Sequence, residues 1–267
     1  MELHSIYGPS LLDKGWVPAP RYLLRRQLIL NCLRQHRTGD VLEVGCGPGV
    51  LLYELAVDGW NCSALEQSLA ALEIARDLHS QPGHAEIYEQ EQKGWAEKFD
   101  WLLAMEVLEH IEDDYGALLE WRNWLKPDGR ILLSVPAHEK KWNNTDIWAG
   151  HYRRYERENL IRIFEESGYH VEKVMSYGFP VSNIIEPIRA FHHGRLLKQT
   201  ISPEQRVSKK KNTDQSGVSR TLEKRLYPFY SNAIASLFMK TAFRIQNKFL
   251  DTDLGTGYIV QAKRVEK

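Results

Sequence analysis

The stretch 41-VLEVGCGPG-49 places a glutamate inside an apolar run and follows it with three glycines in five residues. Its first four residues are typical of a short parallel strand that is buried on both faces. The alternate glycines Gly45, Gly47 and Gly49 predict a tight turn into a helix over 50–59. A dinucleotide-binding fingerprint has similar spacing, but its third glycine comes one residue later. The stretch therefore predicts a strand–turn–helix unit that binds a ligand at the turn.

Two glutamates indicate the charge of that ligand. Glu43 lies at the end of the first strand, where a carboxylate repels a pyrophosphate and attracts an ammonium or a sulfonium. Glu66 ends the strand predicted over 62–66, where an acidic side chain can accept hydrogen bonds from both hydroxyls of a ribose. A solvated glutamate is the alternative for Glu66. S-adenosylmethionine carries both cations and no phosphate, so the pattern favours it over a nicotinamide dinucleotide.

Strand and helix patterns alternate along most of the chain. Strands are predicted over 41–44, 62–66, 85–89, 99–105, 130–136, 169–175 and 257–263. Helices are predicted over 18–36, 50–59, 69–78, 115–125 and 156–168. This order predicts an α/β fold with a doubly wound, mostly parallel, seven-stranded sheet of the Rossmann-like kind. Its ligands are expected at the carboxyl ends of the strands.

A helical insertion is predicted before the last strand. Residues 1–180 and 251–267 would form the main domain, and 181–250 an inserted cap with a polar, mobile loop at 202–220. The segment 221–250 combines an apolar stripe with five lysines and arginines, as do helices that lie on membrane surfaces. A lid folded over the active site would show the same stripe, so both alternatives remain open.

Composition excludes several classes of protein. The 267 residues carry 35 basic and 35 acidic side chains, so no surplus of positive charge favours nucleic acid as a partner. The chain begins without a secretion signal, contains no long apolar run, and has three cysteines without metal spacing. We therefore expect a cytoplasmic protein whose oligomeric state the sequence leaves open.

Four segments together resemble the class I S-adenosylmethionine-dependent methyltransferases, over residues 16–180 and the last strand. They are VLEVGCGPG (41–49), ALEQS (64–68), FDWLLAMEVLEHIED (99–113) and GRILLSVP (129–136). The resemblance implies S-adenosylmethionine as the cofactor and an N-terminal tryptophan–arginine segment, here Trp16 with Arg21 or Arg25, near its carboxylate. It also implies that the cofactor is bound by Arg21, Glu43, Gly45, Cys46, Gly47, Gly49, Glu66, Gln67, Glu91 and Met105.

Two histidines are the candidate catalytic residues. His110 belongs to the E-V-L-E-H motif after the fourth strand, and His151 to G-H-Y-R-R-Y after the fifth. Histidine suits a general base near neutral pH, although His110 could instead orient its loop. The spacing of Glu106, Glu109 and His110 also resembles the ligand set of certain metal-dependent O-methyltransferases, completed by His151 or His138. We nevertheless expect no metal.

The G-H-Y-R-R-Y motif supplies the candidate substrate-binding residues Arg153, Arg154 and Tyr155. Its arginines could clamp an acidic group of the acceptor. In the alternative, they pair with neighbouring acids and fix the loop, the candidates being Asp146, Glu156 and Glu158.

The sequence thus predicts methyl transfer to a small-molecule or lipid-linked acceptor, with oxygen the expected atom. The alternatives are a non-catalytic module that binds S-adenosylmethionine and an NAD-dependent oxidoreductase. A module that had lost turnover would show a damaged glycine turn or lack Glu66, and neither is seen. Glu43 and the early third glycine argue against the oxidoreductase.

Overall fold

The computed structural model describes residues 1–81, 83–199 and 221–266, so the loop predicted at 202–220 lies outside the described residues. A hairpin of β1 (Glu2–His4) and β2 (Gly8–Ser10) opens the chain. No sequence pattern predicts this hairpin, because strands of three residues are too short to show an alternation. Helix α1 (Pro20–Leu33) follows and begins at a proline, whose fixed φ suits a first helical turn.

One sheet of seven strands forms the centre of the described part of the chain. In chain order the strands are β3 (Asp40–Val44), β4 (Asn61–Leu65), β5 (Glu86–Tyr88), β6 (Phe99–Met105), β7 (Leu125–Pro136), β8 (Tyr169–Tyr177) and β9 (Gly257–Arg264). In space they lie in the order β5-β4-β3-β6-β7-β9-β8. Only β9, among the seven, runs against its neighbours. The predicted fold class is confirmed.

Helices cover both faces of the sheet. One apolar core joins it to α1, α2 (Val50–Val57) and α3 (Leu69–Leu78). The other joins it to α4 (Asp114–Trp124) and α6 (Arg157–Glu166). Because the helix layers bury the two faces, the sheet offers a ligand only its edges and the strand ends.

Four further helices lie around the carboxyl ends of the strands. They are α5 (Asn144–Ala149), α7 (Val181–Gln199), α8 (Thr221–Tyr230) and α9 (Ala233–Gln246). The segment 221–250 forms two helices, because the chain breaks at Ser231–Asn232, where the Asn232 side chain accepts from the Ala235 N–H and starts α9. Helix α7 contacts α5 and α1, and α9 contacts α1, so the insertion packs beside the first helix. None of the described helices is long and apolar enough to cross a membrane.

Candidate functional site

The turn after β3 has a backbone that requires glycine. Gly45, Gly47 and Gly49 have φ angles of 67°, 56° and 73°, in the left-handed region. A Cβ on Gly45 would lie 2.6 Å from Val107, and one on Gly49 would lie 2.8 Å from His79. A Cβ on Gly47 would meet no protein atom within 4 Å, so the middle of the turn faces open space.

Glu66 holds this turn to the end of β4. Its side chain is 8% exposed, and its Oε2 accepts a hydrogen bond of 2.7 Å from the Gly47 N–H. Its Oε1 accepts from the N–H groups of Gln67, at 2.8 Å, and Ser68, at 2.7 Å. The Gln67 side chain is exposed beside it. Glu66 is therefore a buried, hydrogen-bonded carboxylate and not the solvated side chain of the alternative.

Glu43 is a buried acid with an unused oxygen. It is 3% exposed, and its Oε2 has no hydrogen-bond partner within the described residues. Burial raises the pKa of Glu43 to about 8, with Arg25 acting against the shift and Glu66 adding to it. An unsatisfied carboxyl group is costly in a protein interior, and a cationic ligand would relieve that cost. The site therefore fits the ammonium and sulfonium groups of S-adenosylmethionine.

Glu106, directly after β6, is bound by basic and phenolic groups. It has a left-handed φ of 60°. Its Oε2 accepts from Arg21 at 2.8 Å, and its Oε1 accepts from the Tyr177 hydroxyl at 2.8 Å. Burial acts to raise the pKa of Glu106, but Arg21 and Arg25 outweigh it and lower the pKa to about 2. Arg21 thus contacts Glu106 and Tyr177, and Glu106 is an ionised partner for arginines.

Three side chains that could hold a divalent cation meet near this loop. One ligand atom from each of Glu109, His110 and His151 lies within 4.8 Å of the others. Glu109 is fully buried, and burial followed by the charge of Glu106 raises its pKa well above the ordinary value. Glu106 is not part of the group. His138 lies elsewhere, with Nε2 3.2 Å from the Gly255 carbonyl.

His151 has the geometry of an oriented base. Its Nδ1 lies 2.9 Å from Oδ1 of Asp146, a carboxylate that is 1% exposed and can only accept, so Nδ1 carries the hydrogen. Burial acts to raise the pKa of Asp146, but hydrogen bonds from His151 and Arg154 outweigh it and lower the pKa to about 2. Nε2 then has a free lone pair and lies 4.0 Å from Glu109.

His110 is a weakened base that packs against His151. Its ring packs edge-on against that of His151 at a centroid distance of 4.7 Å. Burial, followed by the neighbouring His151, lowers the pKa of His110 to about 3. A base with so low a pKa drives proton removal poorly.

The side chains of G-H-Y-R-R-Y are largely engaged with acids. Arg154, 3% exposed, donates to Asp146 at 2.8 Å and to Glu186 at 2.6 Å. Arg153 pairs with Asp114, which also accepts from the Tyr155 hydroxyl at 2.9 Å. These contacts agree with the alternative in which the arginines pair with neighbouring acids and fix the loop. A role for the three residues in binding the acceptor stays a prediction.

The other predicted cofactor residues differ in exposure. Cys46, in the turn, and Met105, at the end of β6, are buried, and burial raises the pKa of the Cys46 thiol well above its usual range. Glu91 is exposed, and its side chain contacts Glu120 of α4. Trp16 is buried with its ring edge-on to Tyr22. Their contact with a cofactor stays a prediction.

Three residues near the site were not singled out from the sequence as functional. Tyr177 ends β8, so the rule that ligands bind at strand ends could have found it. Asp146 was named only as a partner for arginines, although it precedes His151 by five residues. His79 was found by no pattern: it lies 2.9 Å from the Gly49 carbonyl, accepts from the Ala85 N–H at 3.1 Å, and so supports the glycine turn.

Comparison with known proteins gives a family match. A family model described as a methyltransferase domain matches residues 19–174. A ubiquinone biosynthesis O-methyltransferase from Histophilus somni (strain 2336) is 36% identical over 120 residues, which cover 40% of this chain and 50% of that protein. This chain spans about half the length of several of the curated relatives it matches.

Two solved structures share the fold. Phosphoethanolamine N-methyltransferase 2 from Haemonchus contortus, in complex with S-adenosyl-L-methionine, has a TM-score of 0.54 and 15% identity, covering 91% of this chain and 52% of that one. The cyclase SpnF has a TM-score of 0.55 and 16% identity, and the match covers 100% of this chain and 88% of SpnF. At these identities the likeness concerns the fold alone.

Proposed function

The chain belongs to the methyltransferase domain family, and from this premise we propose that it methylates a hydroxyl oxygen of a small-molecule or lipid-linked acceptor. The observation that carries the proposal is the buried, unsatisfied Glu43 beneath a turn that Glu66 holds in place. The curated relative is named an O-methyltransferase of ubiquinone biosynthesis. This name supports oxygen as the acceptor atom and a lipid-linked molecule as one possible acceptor.

S-adenosylmethionine is the cofactor, and its sulfonium supplies an activated methyl group. We propose that the glycine turn binds its methionine part, that Glu43 faces its amino group, and that Glu66 and Gln67 bind the ribose. Cys46, Met105, Arg21 and Glu91 complete the proposed set. Correct placement of an acceptor beside such a leaving group can supply about 7–11 kcal/mol of the barrier reduction.

In this proposal His151 removes the proton from the acceptor hydroxyl. Asp146 fixes the tautomer of His151 in which Nε2 is unprotonated and can take the proton. Asp146 also stabilises the imidazolium that forms. The low pKa of His110 suits a residue that orients His151 through ring packing. We still predict that the reaction uses no metal. If a metal were used, Glu109, His110 and His151 would be the group that holds it.

If the acceptor is lipid-linked, we propose that the protein contacts the membrane that holds it. Three large apolar side chains of α8 and α9 are strongly exposed: Phe229 (75%), Ile234 (83%) and Leu237 (64%). Exposed basic residues accompany them: Lys224, Arg225, Lys240, Arg244 and Lys248. Apolar side chains edged by cations suit the surface of an anionic membrane. A location in the cytoplasm stays a prediction.

Two measurements test the proposal. Calorimetric titration with S-adenosylmethionine, its demethylated product and NAD should show binding of the first two only. Binding of NAD alone would instead indicate the oxidoreductase. Transfer of a labelled methyl group to catechol should follow, and binding without transfer to any hydroxyl acceptor would indicate the non-catalytic module.

The base is tested by replacing histidines one at a time. His151→Gln should lower turnover about 100-fold or more while leaving cofactor affinity nearly unchanged, because general-base catalysis contributes factors of this size. His110→Gln should have a smaller effect. His170→Gln, exposed on β8, is the control. Loss of turnover on removing divalent cations with a chelator would favour the metal arrangement over the histidine base.

A further inference from the structure

One face of α7 is turned toward α5 and the loop that carries His151. Glu186, Arg189 and His193 follow one another at intervals of three and four residues, so they share a face of the helix. The first of them accepts from Arg154 at 2.6 Å. The last stacks on Trp148 of α5, with ring centroids 4.3 Å apart and planes 2° apart. Both contacts lead to the loop that carries His151.

Arg189, between these two, is a half-buried cation without a hydrogen bond or ion pair to any residue in 1–81, 83–199 or 221–266. Burial lowers the pKa of its guanidinium, and the charges that act on it most are those of Glu223, Arg21, Glu186 and Glu106. Taking a guanidinium out of water is unfavourable unless a counter-charge meets it. An unpaired arginine at this depth therefore indicates an anionic ligand.

Two of the three carboxylates whose charge acts on Arg189 are committed to other groups. Glu106 is shared by Arg21, at 2.8 Å, and Arg25, at 3.5 Å. Glu186 accepts from Arg154 and also from the Asn143 amide at 3.1 Å. Neither is therefore a full counter-charge for Arg189, and Glu223, whose charge acts on it most strongly, forms no ion pair with it among the described residues.

We propose that Arg189 binds an oxyanion of the methyl acceptor, a carboxylate or a phosphate group. A guanidinium can donate two parallel hydrogen bonds to either group and so fixes the orientation of the ligand as well as its position. Arg189 lies outside the Asp146–His151 pair, so it would hold the acceptor and not take its proton. The inference rests on the proposed function and adds a class of substrate, hydroxylated acids, to it.

Binding of matched ligands to the full chain tests this inference without turnover. Catechol and 3,4-dihydroxybenzoate differ by one carboxylate, and benzoate and phenyl phosphate separate carboxylate from phosphate as the preferred group. Each is titrated calorimetrically in the presence of saturating S-adenosylhomocysteine. We expect dihydroxybenzoate to bind about tenfold more tightly than catechol, the size of one charge-assisted hydrogen-bonded pair.

Variants assign that preference to one side chain. Arg189→Met should remove the tenfold preference and leave catechol binding unchanged, and Arg189→Lys should retain part of it. Arg195→Met is the matched control, since Arg195 lies on the same helix but is exposed over the ring of Phe191. Circular dichroism of each variant verifies folding.

Equal affinity of the wild-type protein for catechol and dihydroxybenzoate would overturn the inference, even if Arg189→Met failed to fold. So would the absence of binding of dihydroxybenzoate, benzoate and phenyl phosphate to the wild type. An equal loss for both ligands in Arg189→Met would make the residue structural. Methyl transfer to catechol without a preference for acids would overturn this inference alone. Selective binding of acids without any methyl transfer would overturn the proposed function and leave the anion site in place.

Discussion

At the scale of single residues, Glu43 and Glu66 are two buried acids that differ in their hydrogen bonding. Glu66 accepts three backbone N–H groups, whereas Oε2 of Glu43 accepts none from the described residues. A carboxylate with several donors is stabilised in its charged form, and one without donors prefers to keep its proton. Glu43 is therefore the group whose charge a cationic cofactor would change.

Cofactor affinity should depend on pH through Glu43. With its pKa raised to about 8, Glu43 holds a proton at neutral pH, and a cation bound beside it would expel that proton. Affinity should therefore rise with pH from about 6 to 8, by at most roughly tenfold per unit, and level off above. Calorimetry in buffers of different ionisation enthalpy would detect the released proton. A flat profile in the wild type would contradict this linkage.

Without cofactor, the same shift has a consequence for stability. The folded protein binds the Glu43 proton more tightly than the unfolded chain does, so the free energy of unfolding should fall as pH rises from the ordinary value of 4.5 to about 8. Urea unfolding should show a smaller fall in Glu43→Gln, which cannot ionise. An equal fall in both proteins would assign the effect to other groups.

Glu66→Ala should weaken both cofactor binding and the fold. Three N–H groups lose a charged acceptor, which costs about 2–4 kcal/mol of stability if water replaces part of the contact. Cofactor affinity should fall tenfold or more. Thermal unfolding and calorimetry measure the two effects, with Glu89→Ala, whose partner is the exposed Arg76, as control. Unchanged affinity would exclude Glu66 from the site.

At the scale of elements, Arg154 joins α5 to α7 through two ion pairs. Arg154 lies between Asp146 on α5 and Glu186 on α7, and all three are shielded from water. Removing the cation would leave two acids facing each other in a poorly solvated place. This arrangement makes the position of α7, and with it Arg189, depend on Arg154.

Arg154→Met should lower the free energy of unfolding by about 3–5 kcal/mol, since it leaves buried charges without a partner. Arg153→Met, whose side chain is 31% exposed, should cost less than about 1 kcal/mol. Urea denaturation of both variants compares them directly. If Arg154→Met were as stable as Arg153→Met and bound dihydroxybenzoate more weakly, Arg154 would be a clamp for the acceptor.

At the scale of the whole molecule, the exposed apolar residues of α8 and α9 belong to the same insertion that packs on α1. Helix α9 turns Met239 and Ala242 toward α1 and leaves Leu237 and Phe238 exposed. The insertion therefore has one face bound to the catalytic part of the chain and one face available to another surface.

Anionic vesicles should bind the protein through this second face. The wild-type protein should sediment with phosphatidylglycerol vesicles. The sedimented fraction should fall as the salt concentration rises, because screening weakens the attraction between the basic residues and the lipids. A triple variant, Phe229→Ser with Leu237→Ser and Phe238→Ser, should bind at least about tenfold less. Leu254→Ser, exposed outside the insertion, is the control. Equal binding of the triple variant and the wild type would show that the face is not a membrane surface.

The sequence by itself determined the fold class, the glycine turn and the two acids beside it. These features are local: Glu43 and the glycines follow one strand without interruption, and Glu66 ends the next, so their spacing fixes their geometry. Parallel strands bring such ends to one edge of the sheet whatever the rest of the chain does.

Only the tertiary structure decided which charged groups meet beside the strand ends. Arg21 and Glu106 are 85 residues apart, and Tyr177 is 71 from Glu106, so no spacing rule relates them. Arg189 comes within electrostatic reach of Arg21 and Glu106 because α7 packs on α1 and α5, and Arg154 is drawn inward by Glu186 of that helix. Such pairings depend on how helices pack after the strands have formed, because burial decides which side chains keep their charge and which must find a partner.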